Sequence, residues 1–330
     1  MVKKVVFSAR QNHEIIGKVI NLLKKANEFE FIFHDPTKQF FNLSRMPKAF
    51  KEAQCYIIKV RNECSIDLLH FAKLYNIPTL HDVYTVLTCK NKIALDYSLR
   101  AIFKKNKKGL SSFALPPSWN HNSENEQKFK TWAKSKLPIV LKSHFQHDKY
   151  NRFNFLMKKI EELPLFYKRY KDLIYYDIYI QKFIECDGID RKIYVIGDNV
   201  FGVKRENPIY TFLQYNSQDI DVESLERSEF KITDEIKHLT KILAEGLDLK
   251  IFGFDLIKSI DNPHYYLVDL NDFPGFKGIP KIENVLANYL LDYINNLWLL
   301  CHKHNRNNYY EGYNTIEDTK ITKINFLWKS

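Results

Sequence analysis

The sequence predicts an α/β fold in its first part and an α+β fold in its second, on two observations. Up to about residue 75, short apolar runs typical of strands alternate with segments whose apolar residues recur at helical spacing. Strands that alternate with helices form parallel sheets. Beyond residue 174, strand-like runs follow one another with mostly turn residues between them, which indicates antiparallel sheet.

The elements of the first part can be placed along the chain. Apolar runs and helical spacing predict three strands and three helices before a further strand that ends at Lys142, and a fourth helix after that strand. The strands are expected at 2–8, 29–33, 56–60 and 137–142, and the helices at 15–23, 65–75, 91–103 and 153–162. Ligands gather at the carboxyl ends of parallel strands, so the residues that follow each strand are the first candidates for a site.

The second part is expected to contain five strands and two helices. The strands are predicted at 179–184, 191–196, 200–205, 251–258 and 265–270, and the helices at 233–245 and 283–297.

Composition narrows the possible partners. The chain has 50 basic and 39 acidic residues, a net charge of +11, and the basic residues are spread along it. A diffuse positive field suits anionic partners such as nucleotides, phosphorylated small molecules or nucleic acid. No stretch of 18 apolar residues occurs and the five cysteines form no CxxC pair, so we expect a cytoplasmic protein without a membrane span or a zinc site.

The hairpin at 191–205 places two cations together. A two-residue turn at Asp198-Asn199 would put Lys192 directly opposite Arg205. Like charges in that position destabilise a hairpin unless they reach water or an anion lies between them. The pair therefore indicates either an exposed face or a site for an anionic ligand.

The hairpin at 251–270 places two acids together. A loop at 260–264 pairs Asp255 with Asp269, and Asn271 then points to the same side. Two carboxylates among apolar neighbours need a compensating cation or a shared proton. Two carboxylates and an amide oxygen suit Mg²⁺, whose remaining ligands are usually water and phosphate oxygens. The alternative is a protonated carboxyl pair or a turn-stabilising aspartate.

Two lysines are candidates for phosphate contacts. Lys142 ends the apolar run Pro-Ile-Val-Leu-Lys, and Lys92 begins a predicted helix. An ammonium at the end of a buried strand can bind a nucleotide phosphate as a point charge, although many strands end in a solvated lysine.

These residues resemble those of the ATP-grasp enzymes, and among them the inositol-tetrakisphosphate 1-kinases. The similarity is specific in Phe252-Gly-Phe-Asp-Leu-Ile257, in Leu267-Val-Asp-Leu-Asn-Asp-Phe-Pro-Gly-Phe-Lys-Gly278, and in 181–184, 190–198 and 204–205. It implies an N-terminal parallel α/β domain followed by two subdomains whose antiparallel sheets enclose ATP. The expected boundaries are 1–90 for the N-terminal, substrate-side domain, 91–185 for the central subdomain, 186–300 for the C-terminal subdomain with the metal hairpin, and 301–330 for a tail.

The resemblance also implies roles for individual residues on the ATP side. Asp255, Asp269 and Asn271 would hold Mg²⁺ at the ATP phosphates, and Lys142 and Lys92 would contact those phosphates. The adenine hinge would be formed by Gln181, Phe183 and Ile184, with Asp187 as a further candidate for the ribose.

On the substrate side, the resemblance implies that Lys192 and Arg205 grip substrate phosphates. Gly275 and Lys277 would border the acceptor, and Lys59 resembles a substrate-contacting lysine of the first domain. The loop 143–152 departs from the usual ATP-grasp pattern because it has no glycine, and His144 or His147 could lie near the transferred phosphate.

The function expected from these features is an ATP- and Mg²⁺-dependent kinase that phosphorylates a hydroxyl of a polyol phosphate, namely an inositol phosphate. A carboxylate-amine ligase of the same fold, acting through an acyl-phosphate, is the first alternative, and a nucleic-acid-binding protein is the second. Ligases more often carry Glu at the position of Asp269, which favours the kinase. We expect a monomer with a small phosphorylated substrate and no nucleic-acid or membrane partner.

Overall fold

The computed structural model describes residues 3–144, 153–173, 177–209 and 225–310. The chain divides into two compact units, residues 1–289 and 290–330, and the three sheets lie in the first. The described part of the second unit is helical and belongs to α9, which runs from Ile282 to Tyr310. None of the helices described is both long and apolar enough to cross a lipid bilayer.

The first sheet is parallel, as predicted from the alternation of strands and helices. Its order is β2-β1-β3, so the first strand lies in the middle of the sheet. The helices pack their apolar positions inward, and those of α1 that recur at helical spacing are buried. The elements are β1 (Lys3–Ser8), α1 (Glu14–Leu23), β2 (Phe29–His34), α2 (Lys48–Lys51), β3 (Cys55–Ile58), α3 (Glu63–Leu74) and α4 (Val83–Lys90).

The second sheet has four antiparallel strands in the order β5-β8-β6-β7. The helix predicted at 153–162 is wrong, because residues 154–157 form an edge strand and a 3-10 turn follows at 160–162. Phe153, Phe155 and Met157, at every second position, pack into one apolar cluster, as residues on one face of a strand do. The elements are β5 (Ser118–Asn122), α6 (Glu126–Lys134), β6 (Ile139–Lys142), β7 (Asn154–Met157), α7 (Leu163–Tyr170) and β8 (Asp177–Lys182).

The third sheet has six strands in the order β11-β10-β9-β12-β13-β4. Its pairs are antiparallel, as predicted, except that the short β4 joins β13 in parallel. Residues of α5 and α8 share its apolar core. The elements are α5 (Lys92–Lys105), β4 (Phe113–Ala114), β9 (Cys186–Ile196), β10 (Asn199–Glu206), β11 (Ser228–Glu229), α8 (Asp234–Leu247), β12 (Ile251–Ser259) and β13 (Tyr265–Asn271).

The register of the β9–β10 hairpin differs from the prediction. Its turn is Gly197-Asp198, where Gly197 has a φ of 57°, a conformation that favours glycine. Arg205 consequently faces Asp190, and Lys192 faces Val203. The prediction that Lys192 lies directly opposite Arg205 is therefore wrong, because the register is shifted by two residues. A shift of two keeps the face of the sheet unchanged, so both cations still point to the same side.

The β12–β13 hairpin has the predicted pairing, with Asp255 opposite Asp269 and Gly253 opposite Asn271. A β-bulge makes this pairing possible. Leu256 pairs with Leu267, so Val268 is the extra residue of β13. A one-residue change of register moves side chains to the other face. The bulge therefore brings the two carboxylates to one face.

Candidate active site

A cavity of about 600 Å³ lies between the second and third sheets, and His13, which directly precedes α1, also lines it. Residues from β6 and β8 line one side of it, and residues from β9, β10, β12 and β13 line the other. Of the predicted site residues, it brings together Lys92, Lys142, Gln181, Phe183, Ile184, Lys192, Arg205, Asp255, Asp269, Asn271, Gly275 and Lys277.

The three candidate metal ligands lie side by side on the cavity wall. Asn271 Nδ2 donates to Asp269 Oδ2 at 3.2 Å. Each carboxylate also has a lysine partner, with Lys192 Nζ 2.5 Å from Asp255 Oδ2 and Lys92 Nζ in contact with Asp269 Oδ1. Both acids of the hairpin are therefore compensated by cations, as two neighbouring carboxylates require.

The two carboxylates differ in proton affinity. Burial raises the pKa of Asp255, and nearby Asp190 and Asp269 raise it further against the opposing effect of Lys192. Burial alone would also raise the pKa of Asp269, but Lys92 and Lys142 hold it below its usual value. Asp269 is thus the more strongly anionic of the pair.

The donor set at this wall fits a hard divalent cation. No group of three or more His, Cys, Asp or Glu side chains in the described part of the chain could hold a metal ion. A metal at this wall would therefore use the two carboxylates, the amide oxygen of Asn271 and oxygens that do not come from the protein. Magnesium, which keeps several waters and binds substrate phosphates, matches that description.

Lys142 is held by a chain of polar contacts at the end of β6. Its Nζ donates to Gln181 Oε1 at 2.6 Å and to the main-chain oxygen of Val268, the bulge residue, at 3.1 Å. Gln181 in turn donates to the Tyr179 hydroxyl at 2.8 Å. Burial lowers the pKa of Lys142 to about 8, and the neighbouring Lys92 contributes to this shift. The ammonium is thus pre-positioned beside the carboxylates, and the side chain of Gln181 supports it.

The segment after β8 lies between the main cavity and a smaller one of about 310 Å³. Phe183 and Ile184 line both cavities. Main-chain bonds fix the segment, because Lys182 N donates to Pro117 O at 2.7 Å and Phe183 N to Pro138 O at 3.1 Å. A fixed backbone with apolar side chains can bind a flat heterocycle.

Two cations, Lys192 and Arg205, line the cavity beside Asp255. Arg205 donates from Nε and Nη2 to Asp190 Oδ2 at 3.1 and 3.0 Å, and Lys192 Nζ lies 3.6 Å from the same oxygen. Asp190 therefore separates the two cations whose proximity was predicted. Burial opposes the charge of Lys192, but Asp255 and Asp190 outweigh it and raise its pKa.

Several residues that line the cavity were not predicted from the sequence, and His13 and Asp190 are two of them. His13, just before α1, lines it beside Gly275, and its Nδ1 is buried without a hydrogen-bond partner among the described residues. Burial lowers the pKa of His13 to about 4, with Lys59, Arg10 and Lys277 adding to the shift. Asp190 was also missed, although its position two residues before Lys192 places both on one face. His13 could have been found by reading the loop that follows the first strand.

Three of the predicted residues that the structure describes, Asp187, Lys59 and His144, do not line the cavity. Asp187 binds Arg191 through both carboxylate oxygens, at 3.1 and 2.5 Å. Lys59 contacts the main-chain oxygens of Phe273 and Pro274 instead. The main chain of His144 accepts from Lys92 N at 3.1 Å, and burial lowers the pKa of its imidazole. His147 lies outside the described residues.

Comparison with known proteins agrees with this geometry. Residues 207–292 match the model of the inositol 1,3,4-trisphosphate 5/6-kinase ATP-grasp domain. Inositol-tetrakisphosphate 1-kinase 1 of Arabidopsis thaliana is 31% identical over 140 residues, which cover 36% of this chain and 44% of the relative. Inositol-tetrakisphosphate 1-kinase 2 of Glycine max is 29% identical over 132 residues. The chain thus spans less than half the length of these relatives.

The solved structures with a similar fold are more distant in sequence and cover more of the chain. D-alanine–D-alanine ligase of Bacillus anthracis has a TM-score of 0.64 at 15% identity, over 92% of this chain and 99% of the ligase. A RimK domain ATP-grasp protein of Sphaerobacter thermophilus has a TM-score of 0.63 at 14% identity, over 87% of this chain and 99% of that protein. The chain therefore has the ATP-grasp fold, and its sequence resembles that of the inositol phosphate kinases.

Proposed function

We propose that this protein is an ATP- and Mg²⁺-dependent kinase that phosphorylates a hydroxyl of an inositol phosphate. The observation that carries the proposal is the arrangement of one cavity, whose lining contains two carboxylates, the lysines Lys92 and Lys142, and the cations Lys192 and Arg205 beside them. Phosphoryl transfer needs an aligned acceptor, neutralised phosphate charge and little covalent chemistry from the protein. The arrangement is suited to these tasks.

On the nucleotide side, the segment at Phe183 and Ile184 would hold the adenine, and Lys142 and Lys92 would contact the phosphates. Asp255, Asp269 and Asn271 would hold Mg²⁺, which when bound neutralises phosphate charge. Lys92 and Lys192 now pair with the acids of the hairpin. Both would exchange part of these contacts for phosphate oxygens when the substrates bind.

On the acceptor side, Lys192, Arg205 and Lys277 supply positive charge, and Gly275 leaves room beside His13. A substrate with several phosphate groups needs several cations at fixed positions, and the buried Asp190 fixes two of them. Arginine binds phosphate through two parallel donors, which also fixes its orientation. This cluster supports an acceptor that is itself phosphorylated.

A carboxylate-amine ligase is the second candidate. It is favoured by the solved structures, because ligases with this fold align with nearly the whole chain. Fold alone does not assign an activity. The cation cluster and an aspartate at position 269 favour the kinase.

A substrate panel separates the two candidates. The protein is incubated with Mg²⁺ and ATP, together with either inositol phosphates of different phosphate number or pairs of amino acids and carboxylates, and ADP is measured. We expect ADP formation to depend on an inositol phosphate. ADP formation that depends only on an amine and a carboxylate would replace the kinase by the ligase.

Arg205→Ala should raise the KM for the inositol phosphate by about tenfold or more, because charge-assisted contacts to phosphate are lost. The KM for ATP should change little. Asp190 keeps Lys192 as a partner, so the variant should fold. Steady-state kinetics with each substrate varied in turn tests this, and an unchanged acceptor KM would leave Arg205 only a structural role with Asp190.

A further inference from the structure

Helix α5 carries two charged side chains on one face, and both are connected to the candidate active site. Lys92 and Asp96 are four residues apart, which makes them neighbours on the surface of a helix. Lys92 contacts Asp269 directly. Asp96 instead accepts from the hydroxyl of Tyr179, in β8 of the second sheet, at 2.8 Å. Tyr179 and Asp96 are not among the residues that line the cavity of about 600 Å³.

A hydrogen-bond network leads from Asp96 to the ammonium of Lys142. The Tyr179 hydroxyl, which donates to Asp96, accepts from Gln181 Nε2 at 2.8 Å. Gln181 Oε1 in turn accepts from Lys142 Nζ at 2.6 Å. Tyr179, Gln181 and Lys142 are all buried. Three consecutive hydrogen bonds, shielded from water, therefore join a carboxylate on α5 to a lysine on β6.

The charge of Asp96 sets the direction of every bond in this network. An ionised carboxylate only accepts hydrogen bonds, so it takes the single proton of the Tyr179 hydroxyl, whose pKa is raised by burial and by Asp96. The hydroxyl oxygen can then only accept, and this turns the amide nitrogen of Gln181 toward it. The amide oxygen of Gln181 consequently faces Lys142, whose ammonium can only donate. Without the carboxylate, the hydroxyl could donate to a reversed amide, whose nitrogen would face the ammonium.

Asp96 is itself held in place by residues of α5 and of the second sheet. Arg100 donates from Nε to Asp96 Oδ2 at 2.6 Å, and Ser118 Oγ donates to Asp96 Oδ1 at 2.9 Å. Arg100 Nη2 also donates to the main-chain oxygen of Pro116 at 2.7 Å. In a buried network each hydrogen bond polarises and strengthens the next. The carboxylate is thus a fixed end from which the network extends to Lys142.

We propose that Tyr179 and Asp96 are positioning residues for Lys142. They fix the orientation of the Gln181 amide, whose oxygen holds the Lys142 ammonium at the cavity wall, and they need not touch a ligand. Helix α5 then places both lysines of the phosphate side, because it carries Lys92 and reaches Lys142 through the network. The effect on ATP affinity rests on the proposed function, in which Lys142 contacts an ATP phosphate. The effect on Gln181 in the free protein does not.

The effect on Gln181 is tested by hydrogen exchange of its side-chain amide, followed by nuclear magnetic resonance in the free protein. Tyr179→Phe removes the acceptor of the amide N–H and should accelerate this exchange by about tenfold or more. Asp96→Asn, which keeps the shape of the side chain but removes its charge, should accelerate it as well. The signal is identified by its loss in Gln181→Leu. Tyr167→Phe is the matched control, because it removes another tyrosine hydroxyl, one that donates to the main-chain oxygen of Ser123 in the same part of the chain.

The effect on ATP is tested by a double-mutant cycle. Tyr179→Phe should weaken the binding of a non-hydrolysable ATP analogue by about threefold to tenfold, because the ammonium of Lys142 remains but loses its fixed orientation. In the Lys142→Met background the same substitution should have no further effect, since a residue that acts through Lys142 has nothing left to position. Tyr167→Phe should bind the analogue like the wild type. Circular dichroism spectra verify that the variants are folded.

Three results would overturn the proposal. Unchanged exchange of the Gln181 amide in both Tyr179→Phe and Asp96→Asn would mean that neither residue orients it. Faster exchange in Tyr179→Phe with wild-type affinity for the analogue would mean that Lys142 keeps its position without the network. Additive losses of affinity in the double variant would mean that Tyr179 acts on ATP by another route. Wild-type affinity in Lys142→Met would instead refute the proposed contact of this lysine with ATP, and the exchange result would then decide this inference.

Discussion

Asp269→Asn should lower the turnover number by about a thousandfold, because the transferred phosphate loses electrostatic stabilisation at the metal site. Asp269 is the more anionic of the two facing carboxylates, since Lys92 and Lys142 lower its pKa. Asparagine has the same shape but no charge, so the hairpin should keep its pairing. Turnover with saturating ATP and acceptor, measured across a range of Mg²⁺ concentrations, gives the effect.

Asp261→Asn is the matched control for this prediction. Asp261 lies in the loop of the same hairpin and is exposed. Its variant should have wild-type turnover and the same circular dichroism spectrum as Asp269→Asn. Wild-type turnover in Asp269→Asn, with both proteins folded, would remove the metal site from the β12–β13 hairpin.

Lys142→Met should weaken ATP binding by about tenfold to a hundredfold, because a charge-assisted contact to phosphate is lost. Lys142 is almost fully buried, and its partners Gln181 and Val268 hold it at the cavity wall. Isothermal titration with a non-hydrolysable ATP analogue measures the change. Lys158→Met, just after β7 and exposed, should bind the analogue like the wild type.

The pH dependence of binding provides a second test of Lys142. Burial lowers the pKa of this lysine to about 8 in the free protein. A bound phosphate favours the charged ammonium and raises that pKa, so binding takes up a proton above pH 8. The affinity for the analogue should therefore be highest below pH 8 and fall as the pH rises through 8. Lys142→Met should lack this decline, and a decline of equal size in the variant would assign it to another group.

The faces of the strands could be predicted from the sequence better than their register. Alternation along β9 and β10 placed Lys192 and Arg205 on one side of the sheet, and this is confirmed. The directly opposed pairing was wrong because Gly197 adopts a left-handed conformation and moves the turn by one position. The position of the turn depends on the local backbone conformation. The sequence Gly197-Asp198-Asn199 permits a turn at either 197–198 or 198–199.

In the β12–β13 hairpin the pairing of the two aspartates was predicted correctly, but the bulge that produces it was not. The pairing of Asp255 with Asp269 was predicted from a regular ladder, but it is achieved through a bulge at Val268. The bulge also leaves the Val268 carbonyl as an acceptor for Lys142. A bulge depends on contacts between distant segments, which a single strand's alternation does not encode. The contacts of Lys59 with Phe273 and Pro274 were missed for the same reason.

The most direct test of the proposed function follows the fate of the γ-phosphate. ATP labelled on its γ-phosphate is incubated with the protein, Mg²⁺ and the inositol phosphate that supports ADP formation, and label is measured in the acceptor and in free phosphate. A kinase transfers one label to the acceptor for each ADP formed, with almost none in free phosphate. Label released as free phosphate in step with ADP, and none in the acceptor, would contradict phosphoryl transfer to a hydroxyl at this site.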